Sequence, residues 1–118
     1  YNFGCSHIGY DPAGAVGVSE RLTEAGFKAF RMAQTQAMFN EPVKELLQAI
    51  KDGRVTHDGN PLLRWAVNNA VLYKNRQGDV MYDKRSSAEK IDPIVAVTMA
   101  FRVCCVAPER ATGSLFIT

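Results

Sequence analysis

Apolar and polar positions alternate along this chain in runs short enough for strands and long enough for helices. Phe3, Cys5, Ile8 and Tyr10 stand among small residues, which predicts a strand from Phe3 to Tyr10. Asp11-Pro12 follows. Asp suits an N-cap and Pro the first helical position, so a helix is predicted from there to Ala25, with Gly26 just past its end. Gly14 and Gly17 weaken that helix by about 1 kcal/mol each relative to Ala, and they leave room near Asp11 for a backbone or a ligand. From Phe27 to Gln34, the run FKAFRMAQ alternates with apolar residues on both faces, as a second strand would. Strand, helix and strand within about 32 residues make a βαβ unit, parallel and right-handed.

Thr35 to Asn40 reads as a loop whose last residue caps a helix from Glu41 to Lys51, with Pro42 in its first turn. Val43, Leu46, Leu47 and Ile50 form its apolar stripe. Asp52-Gly53 ends it, and Arg54 to His57 leads to the turn Asp58-Gly59-Asn60-Pro61. A short helix from Leu62 to about Asn68 carries Trp65, read as a core residue. Ala70 to Lys74 and Val80 to Asp83 predict a hairpin across Asn75 to Asp79. Two starts are then open for the last helix. Ser86 to Glu89 fits a capping box, which puts Pro93 inside the helix; or Asp92 caps and Pro93 is the first helical residue. In either case Ile94 to Val106 is too uniformly apolar to be exposed, and Pro108 stops it. The pattern gives one α/β domain over residues 1–107 and a poorly ordered tail over 108–118, in which Leu115-Phe116-Ile117 can dock. The expected core includes Val43, Leu46, Leu47, Ile50, Val95, Met99 and Phe101, packed on a sheet of the first two strands.

Composition changes little. The 118 residues suit one domain, and 47% hydrophobic with 22% charged residues is ordinary for a soluble protein. A net charge of +2 does not argue for nucleic acid by itself, but Lys84, Arg85 and Lys90 cluster beside Asp92. No apolar run approaches the roughly 20 residues of a membrane span. Cys5, Cys104 and Cys105 make neither a CxxC pair nor a disulfide framework, which favours a reducing compartment; the last two read as small packing residues. The chain opens at Tyr1 without a start Met or a signal-peptide pattern, and we expect a piece of something longer.

The main chemical constellation is Asp11 with Asp92. Each stands before a proline at a helix start, where amide dipoles favour negative charge. Ligands of open parallel sheets sit beyond the carboxyl ends of the strands, where Asp11 falls. Carboxylate oxygens are hard ligands suited to Mg²⁺ or Mn²⁺, and two such ions about 4 Å apart activate water and stabilise the leaving oxygen of a phosphodiester. The plain alternative is that both aspartates are only N-caps. Lys84, Arg85 and Lys90 are candidates for neutralising phosphates or simply a solvated face. Asn60 and Asn69 are candidates for hydrogen bonds to backbone or nucleic acid, or for turn and capping roles. His57-Asp58 is a candidate ligand or acid-base pair, and beside the DGN turn it reads chiefly as a surface turn. No GxxxxGK[ST] occurs, so this stretch holds no Walker A site.

The run HDGNPLLRWAVNNAVLY, a Gly-Asp turn, DK and then EKIDPIVAVTMA together resemble the C-terminal part of the large terminase subunit of tailed bacteriophages. IGYDP, FKAFRMAQ and NEPVKELLQAIKDGRVTHDGNP follow the same order, and the resemblance spans roughly residues 5 to 104. It implies a ribonuclease H-like nuclease fold that cuts double-stranded viral DNA during packaging with divalent metal. Asp11 then matches the acidic residue after the strand and Asp92 that of the KID motif. Asn60-Pro61, Trp65, Asn69 and Lys84 match recurring positions. It also implies an upstream ATPase motor, portal and small-subunit partners, and the cytoplasm of a bacterial host. Two features depart from the pattern: Pro93 replaces a small residue, and the family's first acidic residue lies on an earlier strand. The fold is therefore expected to be incomplete at its N-terminal side, and a non-catalytic DNA-gripping or assembly module with a degenerate site is the rival reading.

Overall fold

The computed structural model describes residues 4–87 and 90–106, and the backbone of 115–117. Strands β1 (His7–Tyr10) and β2 (Lys28–Arg31) pair in parallel, His7 opposite Lys28 and Tyr10 opposite Arg31. Helix α1 (Val18–Glu24) connects them, so the predicted βαβ unit forms; Phe3 lies outside the described residues. The helix starts later than its Asp-Pro signal. Asp11 Oδ1 accepts the Ala13 N–H at 3.0 Å, a local turn that satisfies the carboxylate without a helix. Gly14 and Gly17 have φ of 67° and 76°, a left-handed backbone that holds the segment in turns until Gly17 caps α1. The far end follows the prediction: Gly26 N–H bonds Thr23 O and Phe27 N–H bonds Leu22 O, a Schellman closure.

Helix α2 spans Gln36–Lys51, five residues longer than expected at its start. Thr35, not Asn40, is its N-cap and accepts from the Met38 N–H. Pro42 therefore sits beyond the first turn and leaves the Met38 carbonyl without its helical partner. Asn40 is used at long range: its Oδ1 accepts the Val80 N–H at 3.0 Å and ties the hairpin to α2. The buried stripe is Phe39, Pro42, Val43, Leu46 and Ala49. Leu47 and Ile50, expected in the core, face outward at 43% and 52% exposure. The stripe is rotated because α2 packs on the hairpin and the last helix rather than chiefly on the β1–β2 pair.

Strand β3 (Val55–His57) pairs in parallel with β6 (Leu115–Ile117), so the tail docks there. Helix α3 (Pro61–Asn69) is capped by Asn60, whose side-chain carbonyl accepts from Leu62 and Leu63 N–H groups. Only Ala66 is buried within it; Trp65 is 42% exposed, contrary to its expected core role. Strands β4 (Leu72–Lys74) and β5 (Val80–Tyr82) form the predicted antiparallel hairpin. Helix α4 spans Asp92–Val106, which places Pro93 in the first turn, where a missing N–H costs nothing. Ser86 does not serve as a capping-box residue toward α4: its N–H and hydroxyl both go to Asp83, and Glu89 lies outside the described residues.

The core joins α2, α4, β1 and the hairpin. Ile91, Ile94, Val95, Met99, Phe101 and Val103 enter it from α4 and its approach, opposite Phe39, Val43 and Leu46. Thr98 is fully buried, with its hydroxyl bonded to Ile94 O and to the Tyr82 phenol, both at 2.8 Å. Arg102 bridges α4 to Glu41 and Glu45 of α2. Cys104 packs partly against the core, whereas Cys105 is exposed and does not have the packing role expected of it. Gly9 sets how closely α4 approaches β1: a Cβ there would lie 3.0 Å from Val103 Cγ2 and 3.1 Å from Met32 Sδ. Among the described residues no helix is long and apolar enough to cross a membrane.

Candidate functional site

The direction of α4 relative to β1 decides what their ends share. Gly9 faces both Met99 and Val103. Gln34, past the carboxyl end of β2, reaches Met99 Sδ at 3.4 Å. Met99 is thus on the carboxyl side of Gly9, and α4 runs opposite to β1. Asp92 lies seven residues before Met99, about 10 Å of helix, and Asp11 lies two residues past Gly9, about 7 Å of strand. The start of α4, with Asp92, and the carboxyl end of β1, after which Asp11 falls, thus lie toward the same side of the Gly9 contact, while Asp11 bonds within its own turn and Asp92 stands by Lys84.

Asp11 is half-buried and uses one carboxylate oxygen in its own turn. Asp92 is 74% exposed, and its Oδ1 stands 3.9 Å from Lys84 Nζ. An exposed pair at that distance holds its partners weakly, so Asp92 remains open to another cation. Lys84, Ser87, Lys90, Ile91 and Asp92 line one depression of about 380 Å³. Ile91 is buried at its base and anchors it. The three cations singled out in the sequence are all exposed. Lys84 and Lys90 share this depression, while Arg85 lines a neighbouring groove with Lys84.

The turn carrying these cations is built by a residue that the motif reading passed over. Asp83 Oδ1 accepts the N–H groups of Arg85 and Ser86, and its Oδ2 accepts the Ser86 hydroxyl at 2.8 Å. The Ser86 hydroxyl, then its N–H, hold the Asp83 carboxyl below its ordinary range. Ser87 hydroxyl bonds the Asp83 carbonyl and accepts the Val71 N–H, which ties the turn to the hairpin. The spacing Asp83-x-x-Ser86 was the available signal. The Tyr82–Thr98 bond fixes the strand just before this turn against α4. Burial pushes the Tyr82 phenol above its ordinary value, opposed in part by that bond.

The remaining candidates are placed otherwise. The Asn60 side-chain carbonyl is engaged in capping α3, and Asn69 closes that helix with its Nδ2 buried and, among the described residues, without a partner. His57 Nδ1 accepts from the Gly59 N–H in a surface turn, as the sequence suggested. Among the described residues no three His, Cys, Asp or Glu side chains form a group that could hold a metal ion.

Comparison with known proteins shows what the chain is similar to. The family model for the terminase large subunit, endonuclease domain, matches residues 1–107. Protein YmfN of Escherichia coli K12 is 40% identical over 93 residues, covering 76% of this chain and 20% of that protein. The terminase large subunit of Lactococcus phage p2 is 34% identical over 101 residues, covering 81% of this chain and 18% of its own length. The chain thus spans about a fifth of the length of these relatives. The crystal structure of the HK97 bacteriophage large terminase superposes with a TM-score of 0.72 at 25% identity, over 82% of this chain and 21% of that one. The parallel strand pair, the hairpin and the C-terminal helix are those of its ribonuclease H-like nuclease domain. With nearly its whole length matched and its fold shared, this chain belongs to the family of terminase large subunit endonuclease domains.

Proposed function

We propose that the chain is the C-terminal part of a metal-dependent endonuclease domain that cuts double-stranded viral DNA during genome packaging. Its first nuclease strand and the ATPase motor would precede it in a longer protein. The observation that supports the reading is the family match over residues 1–107, and we place Asp11 and Asp92 together at one end of the β1–α4 pair as part of the proposal. We expect their carboxylates within about 8 Å of each other, close enough to share ions.

The donor set fits Mg²⁺ or Mn²⁺ in part. Both aspartates offer hard oxygen ligands, and among the described residues Asp92 pairs with exposed Lys84 at 3.9 Å. Mg²⁺ commonly uses one or two carboxylates and completes its shell with water and substrate phosphate. Asp11 and Asp92 would hold the metal, which when bound supplies positive charge at the phosphate and a more acidic water. Two ions carry four positive charges against two carboxylates, so a third acidic residue from the upstream strand is needed for a full two-metal site. Lys84, Arg85 and Lys90 neutralise the DNA backbone. Lys84 serves twice, since release from Asp92 frees its ammonium for a phosphate oxygen. Portal and small terminase subunit are the expected partners, in the cytoplasm of the bacterial host.

A second reading, a DNA-gripping or assembly module with a degenerate site, is favoured by the absence of a third acidic ligand among the described residues. Plasmid cleavage in Mn²⁺ separates the two. Residues 1–118 should cut little or not at all, and a chain extended through the upstream strands should cut. Asp11→Ala and Asp92→Ala in the longer chain should abolish cutting and leave DNA binding mostly intact. Robust cutting by residues 1–118 that neither substitution reduces would place the chemistry elsewhere, and an inactive extended chain that still binds DNA would favour the gripping module.

A further inference from the structure

Lys84 lines a second depression besides the one it shares with Asp92, a groove of about 550 Å³ between the hairpin and the residues that follow β2. Tyr73 and Met81 belong to it and stand directly opposite each other in the β4–β5 ladder, so their side chains share one face of the hairpin. Tyr73 is 52% exposed, a large aromatic surface left facing solvent. Lys84 and Arg85, both exposed, also line the groove. Gln34 contributes too, its side-chain carbonyl buried and, among the described residues, without a partner. Its amide N–H bonds Met99 Sδ at 3.4 Å, a weak acceptor.

An aromatic face beside cations and a spare acceptor is the chemistry that binds a nucleotide. A stacked duplex offers base edges and backbone but no base face, so an aromatic surface of this kind serves only a base taken out of the stack. We propose that the groove holds one unstacked nucleotide of the DNA strand that passes Asp92. Its base lies on Tyr73 and Met81, its phosphate contacts Lys84 and Arg85, and its edge faces Gln34. The proposal rests on the DNA reading above and adds a local opening of the duplex beside the cleavage position.

Fluorescence anisotropy on residues 1–118 in EDTA, with a short fluorescein-labelled single strand and the matching blunt duplex, tests it. Tyr73→Ala should weaken single-strand binding about tenfold, within the range of a lost base–aromatic stack, and change duplex binding less than about twofold on the same basis. Tyr73→Phe should keep wild-type affinity for both. A 2-aminopurine placed in the duplex should brighten on binding wild type and not on binding Tyr73→Ala. Lys84→Ala with Arg85→Ala should weaken both DNAs. If Tyr73→Ala changes neither DNA, or both equally, or Tyr73→Phe behaves like Tyr73→Ala, the subsite is wrong, while the loss with Lys84→Ala and Arg85→Ala leaves the DNA reading standing. If wild type binds neither DNA, or the double substitution changes nothing, the DNA reading fails and takes the subsite with it.

Discussion

Gly9→Ala tests the close contact on which the shared end of β1 and α4 depends. Gly9 has no positive φ, so alanine meets no backbone strain there. The added methyl meets two buried side chains instead, Val103 Cγ2 at 3.0 Å and Met32 Sδ at 3.1 Å. Methionine is unbranched and can give way. Valine in a helix is held to one rotamer, so Val103 yields only if α4 moves. Overpacking of this kind costs about 1–3 kcal/mol, and the reduced freedom of the unfolded chain returns about 0.4–1 kcal/mol. The net expectation is a loss of about 1–2 kcal/mol, which for a domain near this size lowers the melting temperature by roughly 4–15 °C. Urea denaturation of wild type, Gly9→Ala, Val103→Ala and the double variant measures it. Since Val103→Ala removes the obstructing methyl, the cost of Gly9→Ala should shrink by about 1 kcal/mol in that background, a coupling typical of touching residues. Equal stability of Gly9→Ala and wild type in both backgrounds would refute the packing argument, and with it the claim that this glycine sets the α4–β1 distance.

Two further expectations concern the surface turns. Asn60→Ala should cost about 1 kcal/mol in urea denaturation, because two N–H groups of α3 lose their cap; an unchanged midpoint would show that Pro61 alone starts the helix. The Asp83 carboxyl is held below its ordinary range in the fold, so its contribution is present above the unfolded value and lost as pH falls through the folded one. The Arg85 and Ser86 amide resonances should therefore shift together on acidification below the ordinary carboxylate range, and Asp83→Ala should remove that titration.

The parts of the fold that were legible in the sequence are those set by local signals. The βαβ unit and the hairpin follow from alternation and turn residues, whereas the start of α4 is open in the sequence between Ser86 and Asp92 and the structure sets it at Asp92-Pro93. The errors share a cause in distant partners. Asn40 looked like a cap because Asn often is one, but its carbonyl is drawn to Val80, forty residues on. Leu47, Ile50 and Trp65 looked like core because they are apolar, yet which face of a helix is buried depends on the neighbours it meets. Asp11-Pro12 looked like a helix start, and the two left-handed glycines after it delay the helix. A stripe counted from Phe39 through Val43 and Leu46 would have given the right face of α2. For the site, the sequence setting singles out Asp11 and Asp92, and their role stands as the proposal made above. The Asp83 clamp was passed over because it holds cations in place without touching a substrate, and the Tyr73–Met81 groove because it exists only after the hairpin pairs.

The antiparallel course of α4 along β1 also orders the events of folding. The β1–β2 pair and the β4–β5 hairpin join residues close in sequence and can form early, whereas the Gly9–Val103 contact closes nearly the whole chain. Contacts of such separation form slowly, because the entropy of closing the loop is spent before the packing is gained. In the site proposed above, Asp11 and Asp92 meet only after that closure. A partly folded chain, with its local pairs already made, therefore carries both aspartates without bringing them together, and the chemistry proposed for them is confined to the finished fold.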